Sequence, residues 1–229
     1  MLNIPNRSKD CSKCESRKEN VFCDLPEAAL EILSKNKVVN SFKRGQFIFY
    51  AGNYPSGLYC INSGVVKLES EGPSGNGHIL RVVQSGGVLG YRSLFAEEPY
   101  EASAVVQENA TVCLIPKSSI VELIQKFPDL GLKFLSYISK ELRSAEQRLC
   151  GQTDKNASER IAEALLFLKD KFADQTWTRK DIAEWAGTTP ETVMRSLADF
   201  EDEGVIEQTG RKIEIKNRAK LIDLANLSL

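Results

Sequence analysis

The sequence is short of several things at once. Its 229 residues include one histidine, His78, so a histidine-rich metal site and any catalytic triad using a second histidine are excluded. No run of 18 or more apolar residues occurs, so no helix is expected to span a membrane. The opening MLNIPNRSKDCSKC has no apolar stretch of signal-peptide type, and a cytoplasmic protein is expected. Basic charge is not in excess: 30 Lys and Arg stand against 31 Asp and Glu, net −1. A general cationic coat for nucleic acid is excluded, whereas a local patch is not. No P-loop, hydrolase elbow or nucleophile–base constellation is present, so an enzyme is not expected.

What remains is a globular composition, 42% hydrophobic and 27% charged, with room for one large or two ordinary domains. Residues 1–24 are polar and carry three of the six cysteines; such a segment needs docking or a metal to be ordered. Residues 26–36 read as an amphipathic helix, with Pro26 in its first turn and Ala29, Leu30 and Leu33 on one face. From Lys37 to Pro116, short β-rich runs (VVNSF, QFIFY, LYCINSGVVKLES, HILRVV, VLGY, ASAVV, TVCLIP) alternate with glycine turns, including GPSGNG at 72–77. That texture predicts a β-sandwich or barrel as the body of a sensor domain over 25–116, with no helix-period segment between Lys37 and Pro116.

Residues 117–150 turn helical. One helix ends near Phe127-Pro128, and a longer one carries Leu135, Ile138, Leu142, Ala145 and Leu149 at alternating steps of three and four. That is a heptad seam flanked by Lys140, Glu141, Arg143, Glu146 and Arg148, and it predicts a homodimer interface. The plainer alternative is a helix buried against the barrel. A polar hinge at 151–156 opens a second domain, 151–229: a helix near 157–172, helices 179–186 and 190–203, two short strands (205–208, 212–215) and a terminal helix.

Within it, TRKDIAEWAGTTPETVMRSLADF has the spacing of a helix-turn-helix. Ala183 is small enough for a close helix crossing, Gly187 accepts positive φ four positions later, and Val193 locks the second helix. Thr178 is placed to cap the first helix with Asp181 as its capping-box acid; Thr189 caps the second, with Pro190 at its first position. The second helix would enter a major groove with Glu191, Met194 and Arg195 exposed. Arg195 suits guanine and Glu191 suits cytosine N4. The plainer reading of that i,i+4 pair is a surface salt bridge. Arg211 and Lys212 at the hairpin tip, and Arg179 and Thr178 at the start of the first helix, are further DNA-contact candidates. Residues 151–229 hold 12 basic and 15 acidic side chains, so affinity must come from a local face.

GNYPSGLYCINSGVVKL, GGVLGYRSLF, VCLIP and TRKDIAEWAGTTPETVMRSLADFEDEGVI together resemble the CRP/FNR superfamily of bacterial transcription regulators, over about residues 25–220. The resemblance implies an α+β protein. A cyclic-nucleotide-binding-type β-barrel (jelly roll) is followed by a long dimerisation helix and a C-terminal winged helix-turn-helix. It implies double-stranded promoter DNA with a palindromic site, and RNA polymerase, as partners. In the cAMP-binding branch a glutamate and an Arg-Ser pair hold the ligand. Here those positions are Tyr91 and the stretch Glu101-Ala102-Ser103, so cAMP binding is not expected. The FNR branch carries an N-terminal cysteine cluster and one cysteine on a late barrel strand. Cys11, Cys14, Cys23 and Cys113 occupy comparable places, which implies a 4Fe-4S cluster. Their x8 second spacing is looser than that branch's, zinc or no metal remain alternatives, and Lys13, Arg17 and Lys18 would offset the charge. Cys60 is expected to pack, in reserve as a ligand. Glu191-Thr192-Val193-Met194-Arg195 departs from that branch's Glu-x-x-Ser-Arg at Met194; the Glu and Arg imply a TGA-type half-site core. The rival readings are the same regulator with a small-molecule input or none, and a signal-binding module acting through protein contacts.

Overall fold

In the computed structural model, residues 10–72, 75–172 and 176–227 are described; residues 1–9 of the cysteine segment and part of the GPSGNG turn lie outside them. The chain forms two compact units, Met1–Ser70 with Leu80–Glu141, and Glu71–Ile79 with Leu142–Leu229.

In the first unit, helix α1 (Glu27–Asn36) buries Ala29, Leu30 and Leu33, the face expected, with Pro26 as N-cap rather than inside the first turn. The strands are β1 (Val38–Phe42), β2 (Phe47–Phe49), β3 (Gly57–Glu71), β4 (Gly77–Gln84), β5 (Val88–Leu89) and β6 (Ser103–Pro116), in one antiparallel-paired sheet ordered β1-β6-β3-β4, with β2 on β6 and β5 on β3. Two runs expected as separate strands, ASAVV and TVCLIP, are the single strand β6. The polar residues between them are carried through by irregular register against β3. Gly64, at φ +91°, makes this possible, because a Cβ there would sit 2.5 Å from the Asn109 carbonyl oxygen.

A second difference is α2 (Tyr91–Ala96), a helix inside the span expected to be all strand. Left-handed Gly90 and Glu97 bound it, and six residues are too few to leave a helical period in the sequence. The barrel interior is closed by Phe49, Ile61, Val66, Val83, Leu89, Tyr100 and Val112, with Phe49 and Tyr100 stacked at 3.9 Å.

Helix α3 (Lys117–Lys126) leads to α4 (Asp129–Asp154). Leu135, Leu142 and Leu149 are 61%, 57% and 66% exposed along α4, and Ala145 is exposed beside them. Ile138 instead packs on its own unit's core, and Glu141 is drawn to Arg81 at 2.8 Å rather than standing as an edge charge. Most of the expected hinge at 151–156 is helix. The Thr153 hydroxyl bonds back to the Cys150 carbonyl at 2.8 Å, and only Lys155-Asn156 separates α4 from α5 (Ala157–Lys171).

The second unit continues with α6 (Arg179–Ala186), α7 (Pro190–Asp202), the hairpin β7 (Ile206–Thr209) and β8 (Lys212–Ile215), and α8 (Arg218–Leu224). Its core joins Ile161, Leu165, Ile182, Val193, Leu197, Phe200 and Leu221. Arg148, expected at the seam edge, instead lies over the Trp185 ring at 4.0 Å and donates to the Trp185 carbonyl.

Candidate functional site

The helix-turn-helix is assembled from local rules. Thr178 and Asp181 form a complete capping box at α6. The helix stops at Gly187, φ +62°, where an added Cβ would also meet the Gln152 side chain at 2.7 Å. Thr189 caps α7 by accepting from the Thr192 N–H, and Pro190 opens it. Ala183 is 2% exposed at the crossing and Val193 is fully buried. The hydrophobic stripe of α7 is thereby locked inward, which leaves Glu191, Met194 and Arg195 on the outer face; Met194 is 54% exposed.

Glu191 and Arg195 make no ion pair with each other among the described residues. The Glu191 carboxyl is held below its ordinary range, chiefly by its own backbone N–H and then by the Thr189 hydroxyl, so it covers the start of α7. Arg179 is spent on structure: it donates to the Gln208 side chain at 2.6 Å and to the Arg211 carbonyl at 3.0 Å, fixing the hairpin to α6. The Thr178 hydroxyl likewise donates to Asp181 at 2.7 Å. Arg211 is exposed at the wing tip, and Lys212 beside it pairs with Glu214.

The thiols are assembled differently. Asp10 caps a 3-10 turn, Cys11–Lys13, by accepting from the Ser12 N–H, and a second turn, Glu15–Glu19, follows. The segment is docked by Phe22, 2% exposed and edge-on to Phe134 at 5.8 Å, and by the Cys11 N–H donating to the Ser34 hydroxyl on α1. Arg17 staples it by donating to the Cys11 and Phe22 carbonyls at 3.0 and 3.1 Å.

This docking lays Cys11 and Cys14 against the sheet. They line one small, solvent-connected cavity with Cys60, Cys113, Lys37, Arg17 and Asn62. Cys60 and Cys113 are direct partners on β3 and β6, so both face the same side. The Asn62 amide donates to Cys14 Sγ at 3.3 Å and to Ser16 Oγ at 3.2 Å. Burial, and then the neighbouring cysteines, push the Cys60 thiol well up. Burial likewise raises Cys113, partly opposed by Lys37. Burial acts to lower the Lys37 ammonium, but Cys11, Cys113 and Cys14 together outweigh it and raise it.

Three of the four expected ligands, Cys11, Cys14 and Cys113, are thus brought together, and Cys23 is not among the lining residues. Its carbonyl accepts from Lys133 Nζ on α4, whose ammonium lies 4.0 Å from Cys23 Sγ. Lys18, expected as a counter-charge, pairs with Glu15 at 2.7 Å, and Lys13 is exposed. Cys60, expected to pack and held in reserve as a ligand, lines the cavity, whereas Lys37 had given no signal of this role. The donor set, thiols with one ammonium and no carboxylate, fits a thiolate-held iron–sulfur group. Among the described residues no three His, Cys, Asp or Glu side chains meet closely enough to hold one metal ion.

At the cAMP-type position the Tyr91 hydroxyl accepts from Arg81 at 2.6 Å, and burial pushes Tyr91 up to about 12. Arg92 pairs with Glu101 at 3.0 Å, both side chains exposed.

A family model described as the cyclic nucleotide-binding domain matches residues 39–127, and one for the Crp-like helix-turn-helix domain matches residues 159–224. The chain is 30% identical over 229 residues to the fumarate and nitrate reduction regulatory protein of Escherichia coli K12, covering 94% of this chain and 90% of that protein. It is 28% identical over 231 residues to the Vibrio cholerae protein of the same name, covering 95% and 91%. The crystal structure of a CRP/FNR-family transcriptional regulator from Thermus thermophilus superposes with a TM-score of 0.72 at 25% identity, covering 83% of this chain and 99% of that one. These relatives are regulators and not enzymes. With its jelly-roll barrel and winged helix-turn-helix in that order, the chain belongs to the CRP/FNR family of DNA-binding transcription regulators.

Proposed function

We propose that the chain is a cytoplasmic, redox-responsive regulator that binds a palindromic promoter site as a homodimer and works with RNA polymerase. The observation that carries the redox part is the single cavity lined by cysteines from the N-terminal segment and from the barrel sheet. The relatives named for fumarate and nitrate reduction support the same reading. When bound there, an iron–sulfur group would supply sensitivity to oxygen or nitric oxide. Cys11, Cys14 and Cys113 would hold it, Lys37 would offset its charge, and Asn62 would orient Cys14 through the amide-to-sulfur bond.

The DNA part rests on α7. Arg195 and Glu191 read the base edges of the half-site core, with Glu191 leaving its cap for cytosine N4. Met194 packs on a thymine methyl, and Thr189 and the wing residues Arg211 and Lys212 meet phosphate. Leu135, Leu142, Ala145 and Leu149 face a second copy of α4, which places two recognition helices on half-sites about one DNA turn apart. An effector other than cAMP is part of this reading, supported by Tyr91 at the glutamate position and by Glu101, which pairs with Arg92, where the Arg-Ser pair would stand.

The experiment is a visible absorption spectrum with iron, sulfide and zinc analysis on anaerobically purified protein, repeated after air, beside promoter binding in both states. About four iron per chain, with absorption that bleaches in air together with DNA binding, supports the reading. Colourless protein that resists anaerobic reconstitution removes the iron–sulfur input and leaves the regulator. Unchanged oxygen-dependent DNA binding in Cys14→Ala would contradict the cysteine site.

A further inference from the structure

We infer that Cys60, and not Cys23, completes the sulfur set with Cys11, Cys14 and Cys113. The inference rests on the reading that these thiols hold a metal group, and it changes which residues do so.

Cys60 sits on β3 directly across from Cys113 on β6, and antiparallel partners present their side chains to one face of the sheet. The two therefore form a rigid sulfur wall whose spacing the backbone ladder sets. Facing it, Cys11 and Cys14 are carried on the 3-10 turn that Arg17, Ser34 and Phe22 hold down. All four thiols line the same cavity, and Cys60 is within electrostatic reach of the other three and of Lys37.

Cys23 is held elsewhere. It follows Phe22, whose ring is wedged into the core against Phe134, and its N–H donates to the Asn20 carbonyl at 3.0 Å. Its carbonyl and sulfur are both engaged by the Lys133 ammonium of α4. Cys23 is not among the residues that line the cavity, although its neighbour Phe22 is, and turning it inward would break the Lys133 contact. Cys60 needs no such movement.

The arrangement also speaks to the kind of group. Around one zinc, four sulfurs stand about 3.8 Å apart, given Zn–S bonds of about 2.3 Å. Here the four cysteines line one cavity, and no three side chains converge on one point among the described residues, so a single zinc would need the sulfurs to move together.

The test is anaerobic reconstitution of the full-length protein with ferrous iron and sulfide, and separately with zinc, reading metal per chain and visible absorption. The unsubstituted protein is compared with Cys60→Ser, Cys60→Ala and Cys23→Ser, all checked for folding by circular dichroism and thermal melting. Cys60→Ala keeps an apolar wall where serine would bury a hydroxyl. The expected result is iron retention falling by about tenfold or more in both folded Cys60 variants, the scale of losing metal-site support, with Cys23→Ser close to the unsubstituted protein. Loss of iron in Cys23→Ser, or its retention in folded Cys60→Ala, overturns the inference and leaves a metal-binding regulator. Failure of the unsubstituted protein to take up either metal overturns the metal reading itself, and the inference with it.

Discussion

The recognition helix and the thiol cavity are built on opposite principles. Every feature of α7 that matters lies within about twenty consecutive residues: two capped starts, one left-handed glycine, one locking valine and three outward side chains. The cavity draws on a docked 3-10 segment, the residue after α1, and two strands, with Cys11 and Cys113 a hundred positions apart. The first is fixed by periodicity and capping. The second exists only because Phe22 and Arg17 press a polar segment onto a sheet. A site of the first kind tolerates change elsewhere, whereas one of the second kind fails when its anchor fails.

The sharpest way to break that contrast is Phe22→Ala. Loss of a fully packed aromatic is expected to cost about 3–5 kcal/mol. It should lower the first unit's melting transition and abolish iron retention while leaving the winged helix's amide-exchange protection intact. Equal loss of protection in both units would show that the two sites are not independently built.

Arg195→Ala is the converse. Removing a bidentate base contact should weaken specific promoter binding by about 1–3 kcal/mol, roughly fivefold to more than a hundredfold, with nonspecific binding and metal content unchanged in gel-shift and iron assays. An unaltered promoter affinity would favour a module acting through protein contacts.

Gly187→Ala tests the turn. It puts an L side chain at φ +62° and against Gln152, and a destabilisation of about 1–2 kcal/mol is expected from chemical denaturation followed at Trp185 fluorescence. Thr178→Ala, which removes the capping hydroxyl at α6, should cost about 1 kcal/mol by the same measurement. The smallest effect is expected for Arg211→Ala. It should lower affinity uniformly across sequences and reduce the salt-dependence slope by about one, as expected if Arg211, exposed at the wing tip, meets phosphate as proposed.

Legibility followed the same division. Helices α1, α5, α6 and α7, the wing and most of the strands could be read from apolar periodicity, caps and glycine turns. The exceptions are short or compensated. Helix α2 has too few residues for a period, β6 hides its continuity behind a bulge made possible by Gly64, and α4 runs on through polar residues, with the Thr153 hydroxyl satisfied by the Cys150 carbonyl of its own helix. Charges were the least readable feature. Glu141, Arg148 and Arg179 all looked like free surface groups, yet they are held by Arg81, Trp185 and Gln208 of their own chain.

By itself, the sequence determined the order of barrel, helices and winged domain, and which side chains α7 turns outward, because those follow from interactions within a few residues. It also supplied the cysteines. Which of them meet was decided by tertiary structure alone: strand register sets Cys60 opposite Cys113, and Cys23, whose carbonyl accepts from Lys133 on α4, is not among the residues lining the cavity. Register and docking depend on contacts between residues tens of positions apart, and the spacing of cysteines along the chain does not encode them.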